Sequence, residues 1–362
     1  MEKRVLINDK LQLDVISFLR FPLIVAVVLM HTKIRVVNGV EATDMHAIYP
    51  FGGLYPLYEN TVYFFTQVFL PVRVPLFFFF SGFLFFYKIT EMRKSVYISK
   101  LKNRVHTLLI PYLFWNILFI FVYNVSGLLF PGTIDSYIGE GYQLKDWLML
   151  FYHPASYQLW FIRDLMVVVL FTPIIWWLTQ KYNSLLTFFL GILWLMALWT
   201  NGSGFPITAF FFFSFGGYFS INKKNFINFV YSRTTLWGVL YLIFATLICF
   251  FRDYEWIVYL KQVSVIWGIA FVVALSSFYV SIGKWKVNKF IAESSFFIYV
   301  YHVMALPIIK RAIQIFIPLN TDIQLTIFYF VWAFLAVVVG LIGYYLLKKF
   351  FPKPLSVITG GR

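Results

Sequence analysis

The sequence predicts an all-α, polytopic membrane protein with about ten transmembrane helices, and three observations carry that prediction. Of its 362 residues, 61% are hydrophobic and only 12% charged, whereas an average soluble domain is roughly half apolar and a quarter charged. Mean hydropathy is +0.78, with 45 Phe, 24 Tyr and 12 Trp. The apolar residues also gather into runs that fit a hydrocarbon layer about 30 Å thick at 1.5 Å per helical residue. A soluble enzyme, a disordered scaffold and a collagen-like fibre are excluded. The single cysteine, Cys249, excludes a disulfide framework and any multi-cysteine metal site.

Ten runs follow in order: 15–36, 61–87, 104–123, 159–178, 185–200, 205–220, 234–251, 257–281, 290–309 and 324–347. The first contains Arg20 and is followed by Lys33 and Arg35 rather than a small-residue cleavage site, so it reads as a span and not as a signal peptide. The second holds Pro71 and Pro75 around Arg73, which predicts a kinked helix whose freed carbonyls need a polar partner. The fifth and sixth are short and flank Asn201-Gly202-Ser203-Gly204. They form a tight helical hairpin or a re-entrant pair.

Orientation follows from the basic residues. Twenty of the thirty Lys and Arg fall in loops on the side of the N-terminus and six on the other side, while Arg20, Arg73, Arg163 and Lys261 lie within apolar runs. The excess of cytoplasmic Lys and Arg in membrane proteins predicts both termini inside. The net charge of +15 is thus a topology signal, and no nucleic-acid partner is expected. Long outer loops are expected at 37–60 and 124–158, and residues 1–362 read as one integral membrane domain.

Ionisable groups at membrane depth are costly and point to function. Arg20 and His31 are eleven residues apart, so they share one helix face about 16 Å apart along the axis. A snorkelling Arg with a packed interfacial His is the alternative. Arg73 requires a cavity or a counter-charge. Ser81-Gly82 reads equally well as a small-residue helix contact. Leu159-Trp160-Phe161-Ile162-Arg163-Asp164 opens the fourth run; Arg163 and Asp164 are adjacent and are expected to diverge, and Trp160 also fits an interfacial belt. In the ninth run Ser295 and His302 share a face while Glu293 points away. His302 alone also fits a satisfied core histidine, and His106 an interfacial one. No phosphate-binding Gly loop, metal-spaced His pair or Ser-His-Asp set is present, so no metal is expected.

Together these pieces resemble the acyltransferase-3 family of ten-helix bacterial membrane acyltransferases. The resemblance rests on Arg20-x10-His31, Val74-Pro75-Leu76-Phe77-Phe78 leading to Ser81-Gly82-Phe83-Leu84, and Lys102-Asn-Arg104 followed by Leu109-Ile110-Pro111-Tyr112. Leu159-Trp160-Phe161, Phe213-Ser-Phe-Gly216-Gly217-Tyr218 and Ser295-Phe-Phe-Ile-Tyr299-Val-Tyr-His302 extend it over nearly the whole chain. Members often carry an acidic residue three positions before the Arg, where this chain has Ser17.

The resemblance implies an enzyme of the bacterial cytoplasmic membrane that moves an acyl group, with acetyl expected, from cytoplasmic acyl-coenzyme A to a hydroxyl of a surface glycan or lipid-linked sugar. No tightly bound cofactor is implied, and acyl-coenzyme A is a substrate. By the same resemblance His31, Arg20 and Arg73 form the catalytic set, and Arg20, Lys102, Arg104 and Ser81 hold the donor. Trp160, Arg163, Ser295, Tyr299 and His302 lie on the acceptor side. A non-enzymatic transporter or glycan flippase using the same cavity is the competing expectation.

Overall fold

A computed structural model describes residues 9–34, 36–37, 40–41, 55–129, 154–198, 205–317 and 319–361. The first helix, α1 (Asp9–Met30), carries Pro22 in its interior and is followed by a two-residue antiparallel pair, β1 (Val36–Val37) and β2 (Val40–Glu41). Then come α2 (Pro56–Tyr63), α3 (Arg73–Phe86), α4 (Lys94–Arg104) and α5 (Ile110–Leu129). Past residue 153 lie α6 (Trp160–Leu170), α7 (Thr172–Tyr182), α8 (Leu185–Leu195) and α9 (Ile207–Ile221). The last elements are α10 (Phe226–Val230), α11 (Thr234–Phe250), α12 (Ile257–Ser281), α13 (Lys289–Phe316), α14 (Asp322–Phe350) and α15 (Pro352–Ile358).

All ten expected apolar runs coincide with helical segments, but not all are spans by length. Seven helical stretches among the described residues are long and apolar enough to cross a membrane: 9–30, 56–86, 94–125, 226–250, 257–281, 289–316 and 322–350. The fourth run is a broken element, Tyr157–Leu170 and Thr172–Tyr182, bent by 58° where Pro173 begins a new helix. The fifth and sixth are helices of 11 and 15 residues. The expected turn at 201–204, and most of the outer loops 37–60 and 124–158, lie outside the described residues. Large apolar side chains such as Phe121, Phe188, Leu242 and Phe334 are exposed on the outer helix faces, as lipid-facing surfaces require.

The first helix ends at Met30 rather than near 36 because the chain beyond it is caught by side chains. Thr32 Oγ1 donates to the carbonyls of Leu29 and Tyr329, at 3.0 Å each. Tyr58 Oη accepts from the Ile34 amide at 2.5 Å and donates to the Ile34 carbonyl at 2.7 Å. These four bonds turn the backbone and fix His31 at the helix end.

The expected kink in the second run is distributed along the helix. Phe64–Phe69 winds as a π-helix, Leu70–Val72 as a 3₁₀ turn, and regular α-helix resumes at Arg73. Widening and tightening expose carbonyls that Pro71 and Pro75 cannot serve. Tyr241 Oη donates to the carbonyls of Val68 and Phe69 at 3.1 and 3.3 Å, and Arg73 Nη1 to that of Leu70 at 2.8 Å.

Helix α1 is central, packing on α12, α13 and α14 and touching α3. The most extensive contact joins α3 to α9. There a Cβ on Gly82 would meet the Phe213 backbone, and one on Gly216 would meet the backbone of Phe79 and Phe83. Close backbone approach through small residues is how helices associate where hydrophobicity gives no driving force.

Candidate functional site

A cavity of about 690 Å³ lies between these helices and gathers most of the residues singled out in the sequence. Helix α1 contributes Arg20 and, at its end, His31, so the shared face of Arg-x10-His is the cavity-facing one. Helix α3 contributes Arg73 and Ser81, α4 contributes Arg104, and the start of α6 contributes Trp160. Helix α13 adds Ser295 and Tyr299. Apolar walls come from Phe77, Phe80, Phe161 and Phe296 among others. Ser81 therefore faces the cavity while its neighbour Gly82 makes the helix contact.

Charge is unevenly paired here. Arg73 donates to the Leu70 carbonyl, and Arg104 lies over the Phe85 ring at 5.6 Å. Among the described residues none of Arg20, Arg73 and Arg104 has an acidic partner. Three guanidinium groups around one half-apolar chamber make it strongly attractive to an anion with planar, forked acceptors.

His31 is held from two sides. Its Nδ1 lies 2.9 Å from Tyr157 Oη, and the two rings meet edge-on with centroids 5.0 Å apart. The segment bearing Tyr157 is pinned in turn: Ser156 Oγ donates to Gln158 Oε1 at 2.9 Å, and Gln158 Nε2 to the Val300 carbonyl at 3.0 Å. Tyr299 Oη donates to the Gln158 carbonyl at 2.6 Å. On the other side the His302 ring lies with its centroid 5.3 Å from that of His31.

Four expectations need correction. Lys102 is exposed and does not line the cavity; one turn-fraction away on α4, Arg104 takes the inward direction. Arg163 is buried, does not line the cavity, and is paired with Asp164 (Nε–Oδ1 2.9 Å, Nη2–Oδ1 2.7 Å). Adjacent Cβ atoms diverge on a helix, but the long Arg side chain still reaches the neighbouring carboxylate, because burying either charge unpaired would be costly. His302 is fully buried behind His31 rather than on the cavity wall. Glu293, expected to point away, lines the cavity and bonds Lys348 at 2.5 Å.

Sequence reasoning missed Tyr157, Gln158 and Gly361, all of which touch the site. Tyr157 and Gln158 stand beside Leu159-Trp160, which gave a local signal, but nothing in their spacing links them to His31. Gly361 reaches the cavity only because α15 folds back onto α5 and the helical turn before it.

Comparison with known proteins gives two findings. The acyltransferase-3 family, described as an acyltransferase domain, matches residues 13–347. Succinoglycan biosynthesis protein ExoH of Rhizobium meliloti (strain 1021) is similar at 25% identity, over 86% of this chain and 85% of its own. No solved structure matches.

Proposed function

The chain belongs to the acyltransferase-3 family and is an acyltransferase of a multi-helix membrane type; from that premise we propose that it moves an acyl group, acetyl foremost, from acyl-coenzyme A to a hydroxyl of a surface polysaccharide or its lipid-linked precursor. Family membership sets aside the transporter and flippase reading. The acceptor class rests on the similarity to a protein named for succinoglycan biosynthesis.

One observation supports the donor above others: Arg20, Arg73 and Arg104 line a single cavity with His31 and have no acidic partner among the described residues. Coenzyme A is a polyanion, and unpaired guanidinium groups are what its phosphates would bind. Arg20 and Arg104, with Ser81, hold the phosphates on the inner side. The pantetheine arm runs along α1 and brings the thioester to His31.

In the proposed reaction His31 takes the proton from the acceptor hydroxyl as the oxygen attacks the thioester carbonyl. The carbonyl becomes a tetrahedral oxyanion beside the Arg73 guanidinium, which stabilises the charge. Collapse breaks the carbon–sulfur bond, and the departing thiolate takes the proton from His31. An O-acyl ester and free coenzyme A result. The enzyme would sit in the cytoplasmic membrane with both termini inside, and the donor would enter from the cytoplasm.

The test is mass spectrometry of surface polysaccharide from cells with and without the protein, paired with purified protein in liposomes given radiolabelled acetyl-coenzyme A. Loss of an acetyl-sized ester in the deletion, and label transfer that requires His31, are expected. Unchanged polysaccharide together with no release of free coenzyme A would overturn the reading.

A further inference from the structure

His302 is completely buried, yet half of its ring is unsatisfied. Its Nδ1 lies 2.7 Å from the Tyr299 carbonyl and 3.2 Å from the Ile298 carbonyl. Carbonyl oxygens only accept, so Nδ1 carries the hydrogen and Nε2 is left as a lone pair. That Nε2 has no hydrogen-bond partner among the described residues. Buried acceptors are nearly always paired, and an exception calls for a reason.

The nearby ring is His31, with centroids 5.3 Å apart and planes tilted by 33°. The two rings make no hydrogen bond in this structure, but at that centroid spacing edge nitrogens turned toward one another would come to about 3 Å, the length of one. His31 already has a hydroxyl, that of Tyr157, 2.9 Å from its Nδ1. Its Nε2 makes no hydrogen bond among the described residues and is the nitrogen left to meet His302. Catalytic hydrogen bonds often close only when substrate is bound.

We propose that His302 is a positioning residue for His31: its fixed Nε2 lone pair accepts a hydrogen bond from His31 Nε2–H. This holds His31 in one tautomer and leaves Nδ1 as the nitrogen that takes a proton, the acceptor hydroxyl replacing the Tyr157 hydroxyl there when it binds. The assignment rests on the acyl-transfer reading of the cavity. It differs from substrate binding by His302, because His302 touches His31 and not the cavity.

Two measurements test it in the full-length protein. The first is ¹⁵N NMR of histidine-labelled protein in nanodiscs, assigned with His31→Ala and His302→Phe. His302 should show hydrogen at Nδ1, and His31 should show hydrogen at Nε2, reverting to a tautomer mixture in His302→Phe. The second is steady-state kinetics with acetyl-coenzyme A. His302→Phe should lower kcat about tenfold or more with both KM values held within about twofold, as expected for loss of an orienting hydrogen bond. His302→Gln, which keeps an oxygen acceptor near the Nε2 position, should recover most of that loss. A raised acceptor KM with kcat retained would make His302 a substrate-binding residue and overturn the proposal. A His31 tautomer indifferent to His302→Phe would overturn it without any kinetics. Wild-type protein inactive with acetyl-coenzyme A but showing the paired tautomers would instead remove the acyl-transfer reading and leave the pairing standing.

Discussion

Tyr157 Oη lies 2.9 Å from His31 Nδ1 although 126 residues separate them in the chain. The tyrosine ring also packs edge-on against the imidazole, so contact and hydrogen bond can be separated by substitution. Tyr157→Phe keeps the packing and removes the hydroxyl. One net hydrogen bond near a reacting group is worth about 1 kcal/mol, so kcat should fall about five- to tenfold. KM for both substrates should hold. A kcat within twofold of wild type in a steady-state assay would show that the hydroxyl only fills space.

The contact between Gly216 of α9 and the α3 backbone gives the sharpest stability prediction. A Cβ there would stand 2.9 Å from the Phe83 amide nitrogen and closer still to the Phe79 carbonyl. Backbone cannot rotate away as a side chain does, so Gly216→Ala must push the helices apart. Overpacking of this kind costs about 1–3 kcal/mol or more. The yield of monodisperse protein on size-exclusion chromatography in detergent should drop sharply. Gly343→Ala is the control, since its Cβ would meet only the Phe297 ring at 3.4 Å. Equal yields from the two would mean that α3 and α9 are not packed as described.

Arg20 lines the cavity from α1, eleven residues before His31, and has no acidic partner among the described residues. Arg20→Ala should weaken acetyl-coenzyme A binding by about 10- to 100-fold, the worth of a charge-assisted hydrogen bond. Arg20→Lys should restore only part, because an ammonium lacks the forked donor pair. Acceptor KM should be unchanged in both. Calorimetric titration with coenzyme A in detergent reads the first effect directly, and an Ala variant of wild-type affinity would reduce Arg20 to a snorkelling residue.

The distribution of basic residues predicts both termini inside, and labelling tests that sidedness. Cys249 is free and exposed, so Cys249→Ser comes first. In that background Glu255→Cys and Asn320→Cys, both at exposed positions, should react with an impermeant maleimide in intact cells. Ser95→Cys and Lys286→Cys should react only after lysis. The reverse pattern would place the donor side outside and overturn the proposed entry of acyl-coenzyme A.

The fold was largely legible because a lipid surrounding writes itself into composition: each of the ten apolar runs contains helix among the described residues. Span lengths were less so. Whether 185–195 crosses or stops depends on how it packs on α9, which hydropathy does not encode. Arg20 and His31 were legible because eleven helical steps return to one face. Arg163 misled because a long side chain can reach the adjacent Asp164 carboxylate, so the direction of the Cβ does not fix where the charge ends. The nearness of His302 and Tyr157 to His31 could not be read, since it depends on packing among α1, α13 and the turn at 157–159.

The final prediction concerns the C-terminal turn at the cavity edge. Trp115 Nε1 donates to the Ile358 carbonyl at 2.9 Å, Leu355 and Thr359 are buried, and Gly361 lines the cavity with Arg104. The turn closes with two successive left-handed residues, Gly360 at φ +69° and Gly361 at φ +75°. A side chain at either position carries a conformational cost of about 1–2 kcal/mol. At Gly360 there is a second cost, because its Cβ would stand 2.6 Å from the Thr107 carbonyl oxygen. At Gly361 nothing lies within 4 Å. Gly360→Ala should therefore lift the turn off the helix bearing Arg104, while Gly361→Ala should leave it docked. If this turn shapes the donor end of the cavity, Gly360→Ala should raise the acetyl-coenzyme A KM about five- to tenfold, equivalent to about 1 kcal/mol of binding, with acceptor KM near wild type. Gly361→Ala should change it by less than about twofold, its strain being local. Equal shifts from the two variants would assign the effect to backbone strain alone, and no shift from Gly360→Ala would separate the turn from donor binding.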